Sequence, residues 1–193
     1  MRARSGRDDE GVDRDLVVRA QRGDRDAFGV LARSHADRLF AIGQRILRDA
    51  GLAEDALQTS LVAAWRQLPA LRDADKFGAW ITRLLVHECY AESRRRSRMN
   101  SQIRVVPMSE PTSGDDILAF IDRDELERGF RRLPPDQRTV LVLHHYVGLE
   151  PAEIAETLGV PAGTVRSRLH YGHRAMRAVL EADARSTAGR AAR

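Results

Sequence analysis

Between positions 161 and 180 the chain carries four arginines, two histidines, a threonine and a serine, and no acidic residue. Spaced as turns of one helix, Thr164, Arg166, Ser167, His170, His173, Arg174 and Arg177 share an outward face of donors and cations. Arginine presents a planar fork of N–H groups that fits two acceptors at once, on a phosphate or on a guanine edge, and hydroxyls and imidazoles add single contacts. Such a face, with no carboxylate to neutralise it, suits a polyanion. The plain alternative is a solvated basic face on an ordinary helical hairpin.

The elements that must hold this face are legible in LEPAEIAETLGVPAGTVRSRL, residues 149–169. An eight-residue helix with Ile154, Ala155 and Leu158 inward, a Gly159-Val160-Pro161 turn and a second helix with Val165, Leu169, Gly172 and Met176 inward make a helix-turn-helix. Small Ala155 permits close approach of the two helices, and Gly159 supplies a turn conformation that other residues adopt at a cost.

The remainder of the chain reads as helical too. Its 193 residues are 42% apolar and only 5% aromatic, with no alternating strand pattern, so the fold class is all-α: two small helical domains joined by a flexible linker. Residues 1–14 are charged and aperiodic, and disorder is expected there. A domain over residues 15–98 follows, with a short helix near 16–22, a second capped by Asp26 and striped by Phe28, Leu31, His35, Leu39, Ile42 and Ile46, a third over 53–68 with Leu57, Leu61, Ala64, Trp65 and Leu68 on one face, and a fourth from about 75 carrying Phe77, Trp80, Ile81, Leu84 and Leu85. Residues 99–118 are rich in Pro, Ser, Gly and acid and read as the linker. The second domain covers 119–182, with helices over 117–132, 134–147, 151–158 and 162–182, and residues 183–193 are expected as a disordered tail.

Charge is arranged in blocks. Residues 77–106 hold six arginines against Glu88 and Glu92, residues 109–127 hold seven acids against Arg123, and 161–180 are purely basic. A single lysine, Lys76, stands among 32 cationic residues. Two basic surfaces joined by an acidic strap are expected, the strap competing with phosphates for them in the free protein.

Other chemistries find no support in the sequence. One cysteine, Cys89, allows neither a disulfide within the chain nor a cysteine-based zinc site. His170 and His173 lie one helical turn apart, yet no carboxylate or thiol stands near them in sequence, so no metal and no cofactor are expected. There is no phosphate-binding glycine loop, nucleophile motif or clustered acid pair, so the reading is not an enzyme. No apolar run is long enough for a membrane span and no signal peptide is visible, so a cytoplasmic protein without membrane insertion is expected.

The stretch FRRLPPDQRTVLVLHHYVGLEPAEIAETLGVPAGTVRSRLHYGHRAMR resembles the C-terminal promoter-binding domain of the extracytoplasmic function (ECF) group of the sigma-70 family, the bacterial RNA polymerase initiation factors. DAFGVLARSHADRLFAIGQRIL, AEDALQTSLVAAWRQL and FGAWITRLLVHECYAESRRR are similar, in order and spacing, to that family's first domain. The resemblance implies an alternative sigma factor that binds core RNA polymerase and promoter DNA, opens the promoter and initiates transcription; an anti-sigma factor is a further partner that it allows. It implies polymerase contacts for Glu54, Asp55 and Gln58, with Leu52 and Thr59 standing where acids are usual. For the melted minus-ten strand it implies Phe77, Trp80, Arg83, Arg94, Arg95 and Arg96, with His87 in place of a usual asparagine and Ala91 of an aspartate. For the upstream minus-35 element it adds Arg168 to the outward face of the second helix, where Tyr171 and His173 replace usual arginines. A dimeric helix-turn-helix regulator and a protein-binding adaptor are the competing classes, and binding to core polymerase separates them from a sigma factor.

Overall fold

The computed structural model describes residues 6–102 and 129–191, and every regular element among them is helical. Contacts divide the chain into two units, Met1–Ala91 and Glu92–Arg193.

In the first unit, α1 (Gly6–Gln21) and α2 (Arg25–Leu47) pack together, joined at Gly23, whose φ of +94° takes the left-handed turn. Asp24, not Asp26, caps α2: its carboxylate accepts the Ala27 N–H at 3.0 Å and is gripped by Arg19 at 2.8 Å. Ala27's amide first, and then Arg19, hold the Asp24 carboxyl below the usual carboxylate range. The cap lies two residues earlier than expected because the paired Arg19 fixes Asp24 at the turn, which leaves Asp26 inside the first turn of the helix.

Residues 6–14, expected to be disordered, belong to α1. Nucleating a helix is its costly step, and once Val17 and Ala20 are buried each further residue adds one hydrogen bond. The side chain of Gln21, reaching the carbonyls of Leu68 and Leu71 at 3.2 and 2.7 Å, anchors the end of that helix.

Asp49 caps α3 (Ala50–Gln67) by accepting the Leu52 N–H at 3.1 Å. The buried stripe of α3 is Ala53, Ala56, Ser60 and Ala64, whereas Leu57, Leu61 and Trp65 are half-buried. Small residues let α3 close onto α2, so the larger ones flank the contact instead of filling it. Trp65 lies against Phe28 with ring centroids 5.1 Å apart, and the buried Ser60 hydroxyl donates to the Leu57 carbonyl at 2.8 Å. A β-carbon at Gly43 would stand 3.5 Å from that of Ala53 and 3.6 Å from Cys89 Sγ, which marks where α2, α3 and α4 (Phe77–Gln102) meet. Ile81, Leu85, Val86 and Cys89 bring α4 into that core. Its helix continues past residue 98 to Gln102; the rest of the expected linker, through 118, lies outside the described residues, as does most of the acidic strap.

The second unit resumes in a helical turn at 129–132, the end of the helix expected over 117–132. It continues through α5 (Pro135–Val142), a π turn over Leu143–Val147, α6 (Pro151–Leu158) and α7 (Ala162–Ala191). The π turn, with the Gly148 N–H donating to the Leu143 carbonyl, is a feature the sequence does not announce. Helix α7 runs past residue 182 to Ala191, into the segment expected as a disordered tail: its packed first half nucleates the helix and each further residue adds one hydrogen bond.

Candidate nucleic-acid interface

The second unit fixes α7 by local devices. Pro135 opens α5 at a position where its missing N–H costs nothing, and Gly148 ends the π turn with φ +85°. Glu153 accepts the Glu150 amide N–H at 2.8 Å, capping α6. Gly159 leaves α6 at φ +63°, ψ +38°, and the next amide, of Val160, donates back to the Ala155 carbonyl at 3.1 Å. Pro161 then starts α7, its carbonyl accepting from Thr164 at 2.9 Å.

Ile154, Ala155, Leu158, Val165, Leu169, Gly172 and Met176 are buried, as the sequence reading requires of a helix-turn-helix. At Gly172 the approach is tight: a β-carbon there would meet Leu141 Cδ1 at 3.0 Å. Helix α7 is therefore pressed onto α5 along this line, and its opposite side faces out.

On that side Arg166, Ser167, His170, His173, Arg174 and Arg177 are exposed and Thr164 is half-buried. The Ser167 hydroxyl donates to the Thr164 carbonyl at 2.9 Å, so it meets a ligand as an acceptor. Arg168 is different. Its side chain is only 20% exposed and is ion-paired with Asp136 in the first turn of α5. The DNA contact expected of Arg168 would therefore compete with a carboxylate of its own unit.

His173 carries a contact that sequence reasoning missed. Its Nε2 lies 2.7 Å from Nε2 of His145, which the π turn brings across from the end of α5. His144 stacks edge-on beside His145, with centroids 4.8 Å apart, and its Nδ1 lies 2.9 Å from the Leu149 carbonyl. Burial first, then His144 and His173, hold the His145 imidazole below its ordinary value. Only long-range pairing could have revealed this, since the two histidines are 28 positions apart.

The first unit exposes Glu54, Asp55 and Gln58 on α3, and Val62, one turn beyond Gln58, is 51% exposed on the same side. Val62 went unremarked as a surface residue because it is apolar; its position outside the buried stripe was the available signal. On α4, Trp80 is half-buried, and Arg83, His87, Arg94, Arg95 and Arg96 are exposed, with Arg95 paired to Glu92 at 2.9 Å. Phe77 is 1% exposed, edge-on to His35 at 5.3 Å and tilted against Trp80 at 5.9 Å. Phe77 thus packs in the core, and stacking on a base would require it to leave.

Residues 31–99 match the family model for sigma-70 region 2, and residues 123–178 match that for sigma-70 region 4. The chain is 31% identical over 182 residues to the RNA polymerase sigma-H factor of Pseudomonas aeruginosa, covering 88% of this chain and 94% of that one. The chain belongs to the ECF group of the sigma-70 family. It is 32% identical over 151 residues to the ECF RNA polymerase sigma factor SigL of Mycobacterium tuberculosis, covering 76% and 85% of the two. The fold of this sigma factor is that of RpoE from Bartonella quintana, solved with the anti-sigma factor NepR, at a TM-score of 0.61 and 22% identity, covering 76% of this chain and 92% of that one. As an alternative sigma factor it directs promoter-specific transcription initiation with RNA polymerase. Among the described residues, no helix is long and apolar enough to cross a membrane, and no group of three or more metal-ligating side chains converges.

Proposed function

We propose that the outward face of α7 reads the upstream promoter element, with Arg166 as the principal base contact, Ser167 accepting from a base N–H, and His170, Arg174 and Arg177 on bases and phosphates. The observation that carries this is an exposed, acid-free row of donors on the second helix of a helix-turn-helix whose other side is buried. A bidentate arginine contributes ~1–3 kcal/mol of discrimination against the wrong base, while a phosphate contact weakens all sequences alike when lost.

In the same reading the functional halves are residues 15–98 and 119–182. Glu54, Asp55 and Gln58, with Val62 beside them, meet core polymerase. Trp80, Arg83, His87 and the run Arg94–Arg96 hold the melted strand, an indole half-open to a base and guanidinium groups for its backbone. The chain itself catalyses nothing and works in the cytoplasm, lending the polymerase two DNA contacts; an anti-sigma factor would act by covering those surfaces. The test is run-off transcription and footprinting with purified core polymerase on a promoter library. Arg166→Ala is expected to lose the upstream footprint and relax preference at one or two positions. Unchanged footprints with Arg166→Ala, or failure of the protein to bind core polymerase, would refute the assignment.

A further inference from the structure

We propose that His145 is a positioning residue for upstream DNA contact: its hydrogen bond to His173 withholds that imidazole from DNA until the pair takes up a second proton. The inference rests on the reading of α7 as the DNA-facing helix. At 2.7 Å between the two Nε2 atoms, one nitrogen must carry the shared proton and the other must accept it. Two protonated rings would set two N–H groups head to head, so the bond exists only while at least one ring is neutral.

Every charge bearing on His145 opposes the second proton. His144, edge-on at 4.8 Å on the same turn, and His173 across on α7 both become cations, and burial acts in the same direction. Around His173, α7 carries His170, Arg174 and Arg177, and its first acid, Glu181, stands about two turns further on. The acids nearest His145 in sequence, Glu150 and Glu153, stand at the start of α6, and Glu153 is engaged by the Glu150 amide. Neither imidazole is paired with a carboxylate among the described residues.

The consequence is a gate on one DNA contact. With the pair intact, Nε2 of His173 is spent on its own protein. With both rings charged, His173 is released as a cation on the exposed face, between His170 and Arg174, where a phosphate would lie. A phosphate favours the protonated ring, so the DNA-bound state holds more protons than the free protein. Affinity therefore rises as pH falls, and the gain is lost as pH rises through the bound-state titration.

The test uses the full chain and a fluorescein-labelled mixed-sequence duplex of about 30 base pairs, roughly three helical turns, because phosphate contacts are sequence-independent. Anisotropy is followed between about pH 8 and about pH 5.5, with EDTA present so that the imidazoles bind protons alone. Wild-type affinity is expected to rise toward acid by about two- to five-fold more than that of His173→Ala, the scale of one exposed ionic contact. His145→Ala removes the partner that holds Nε2 of His173, so the rise should no longer require both rings to be charged and should begin at higher pH. Proton NMR of the imidazoles in the free protein gives a second readout: His145 should titrate at higher pH in His173→Ala than in wild type. Superimposable pH profiles for wild type and His145→Ala, or an unmoved His145 titration, would overturn the proposal. Arg166→Ala separates this failure from failure of the DNA-face reading. If it weakens duplex binding at every pH while the histidine variants change nothing, the gate alone is wrong; if it binds like wild type throughout, the DNA face is wrong and the gate falls with it.

Discussion

The pairing of Arg168 with Asp136 leads to a double-mutant cycle with a defined outcome. The two side chains are 20% and 37% exposed, and they tie the face of α7 to the first turn of α5. Fully exposed pairs contribute about 0.2–1 kcal/mol, and breaking a fully buried one costs about 3–5 kcal/mol. This pair lies between the limits, so a coupling of about 1–2 kcal/mol is expected from Arg168→Ala, Asp136→Ala and the double variant. Asp136 also faces the positive end of α5, worth a further ~0.3–1 kcal/mol that the cycle subtracts because it does not depend on Arg168. Native-state amide exchange is the appropriate assay, read at Leu141, Val165 and Leu169, which are buried in the second unit. Both single variants should also weaken duplex binding, through loss of α7's seating, whereas Arg166→Ala should weaken binding with exchange unchanged. A coupling under about 0.3 kcal/mol would remove the structural role of the pair. Tighter DNA binding by Asp136→Ala would mean that a freed Arg168 is itself a DNA contact, which would refute the reasoning.

Three further outcomes are expected. Cys89 is fully buried in the first unit and burial pushes its thiol up to about 12, so labelling of the native protein by a thiol reagent at about pH 8 should be far slower than after unfolding; equal rates would contradict the packing of α4. Gly159→Ala forces a side chain into the left-handed conformation at the turn and should lower second-unit stability by about 1 kcal/mol, seen by urea unfolding. Thr157 is buried with its hydroxyl unbonded, so Thr157→Val should leave stability unchanged or raise it by up to about 1 kcal/mol, whereas a marked fall in Tm would show that the hydroxyl has a partner.

The helix-turn-helix was legible in the sequence because its determinants are local. A left-handed glycine, a proline after it and apolar residues at helical spacing fix the turn and the buried side of α7 within some twenty positions. What was not legible depended on distance along the chain or on competition between neighbours. Asp24 and Asp26 are equally good caps by type, and only Arg19 decides between them. Of the stripe expected on the third helix, Ala64 and Leu68 are buried while Leu57, Leu61 and Trp65 are half-buried, and Ala53 and Ala56 are buried in their place, since closeness of approach sets that interface. Phe77 and Arg168 each carry the right chemistry for nucleic acid, and each also has a tertiary neighbour that the sequence does not announce: His35 and Trp80 for the ring, Asp136 for the guanidinium. The pairing of His145 with His173 required the π turn, which no periodicity announced.

That π turn carries a consequence for how such chains diverge. A π turn accommodates one residue more than α-helical winding over the same stretch, so Leu143–Val147 has the geometry of a single-residue insertion absorbed within a helix. Each residue advances an α-helix by about 100°. Deleting His144 would restore regular winding within the turn and re-aim His145 about the helix axis, with the buried Val140–Leu143 segment before it and Gly148 after it kept in register. Length variation at this one point therefore bears on the histidine bridge to α7 while leaving the segments on either side of the turn in register.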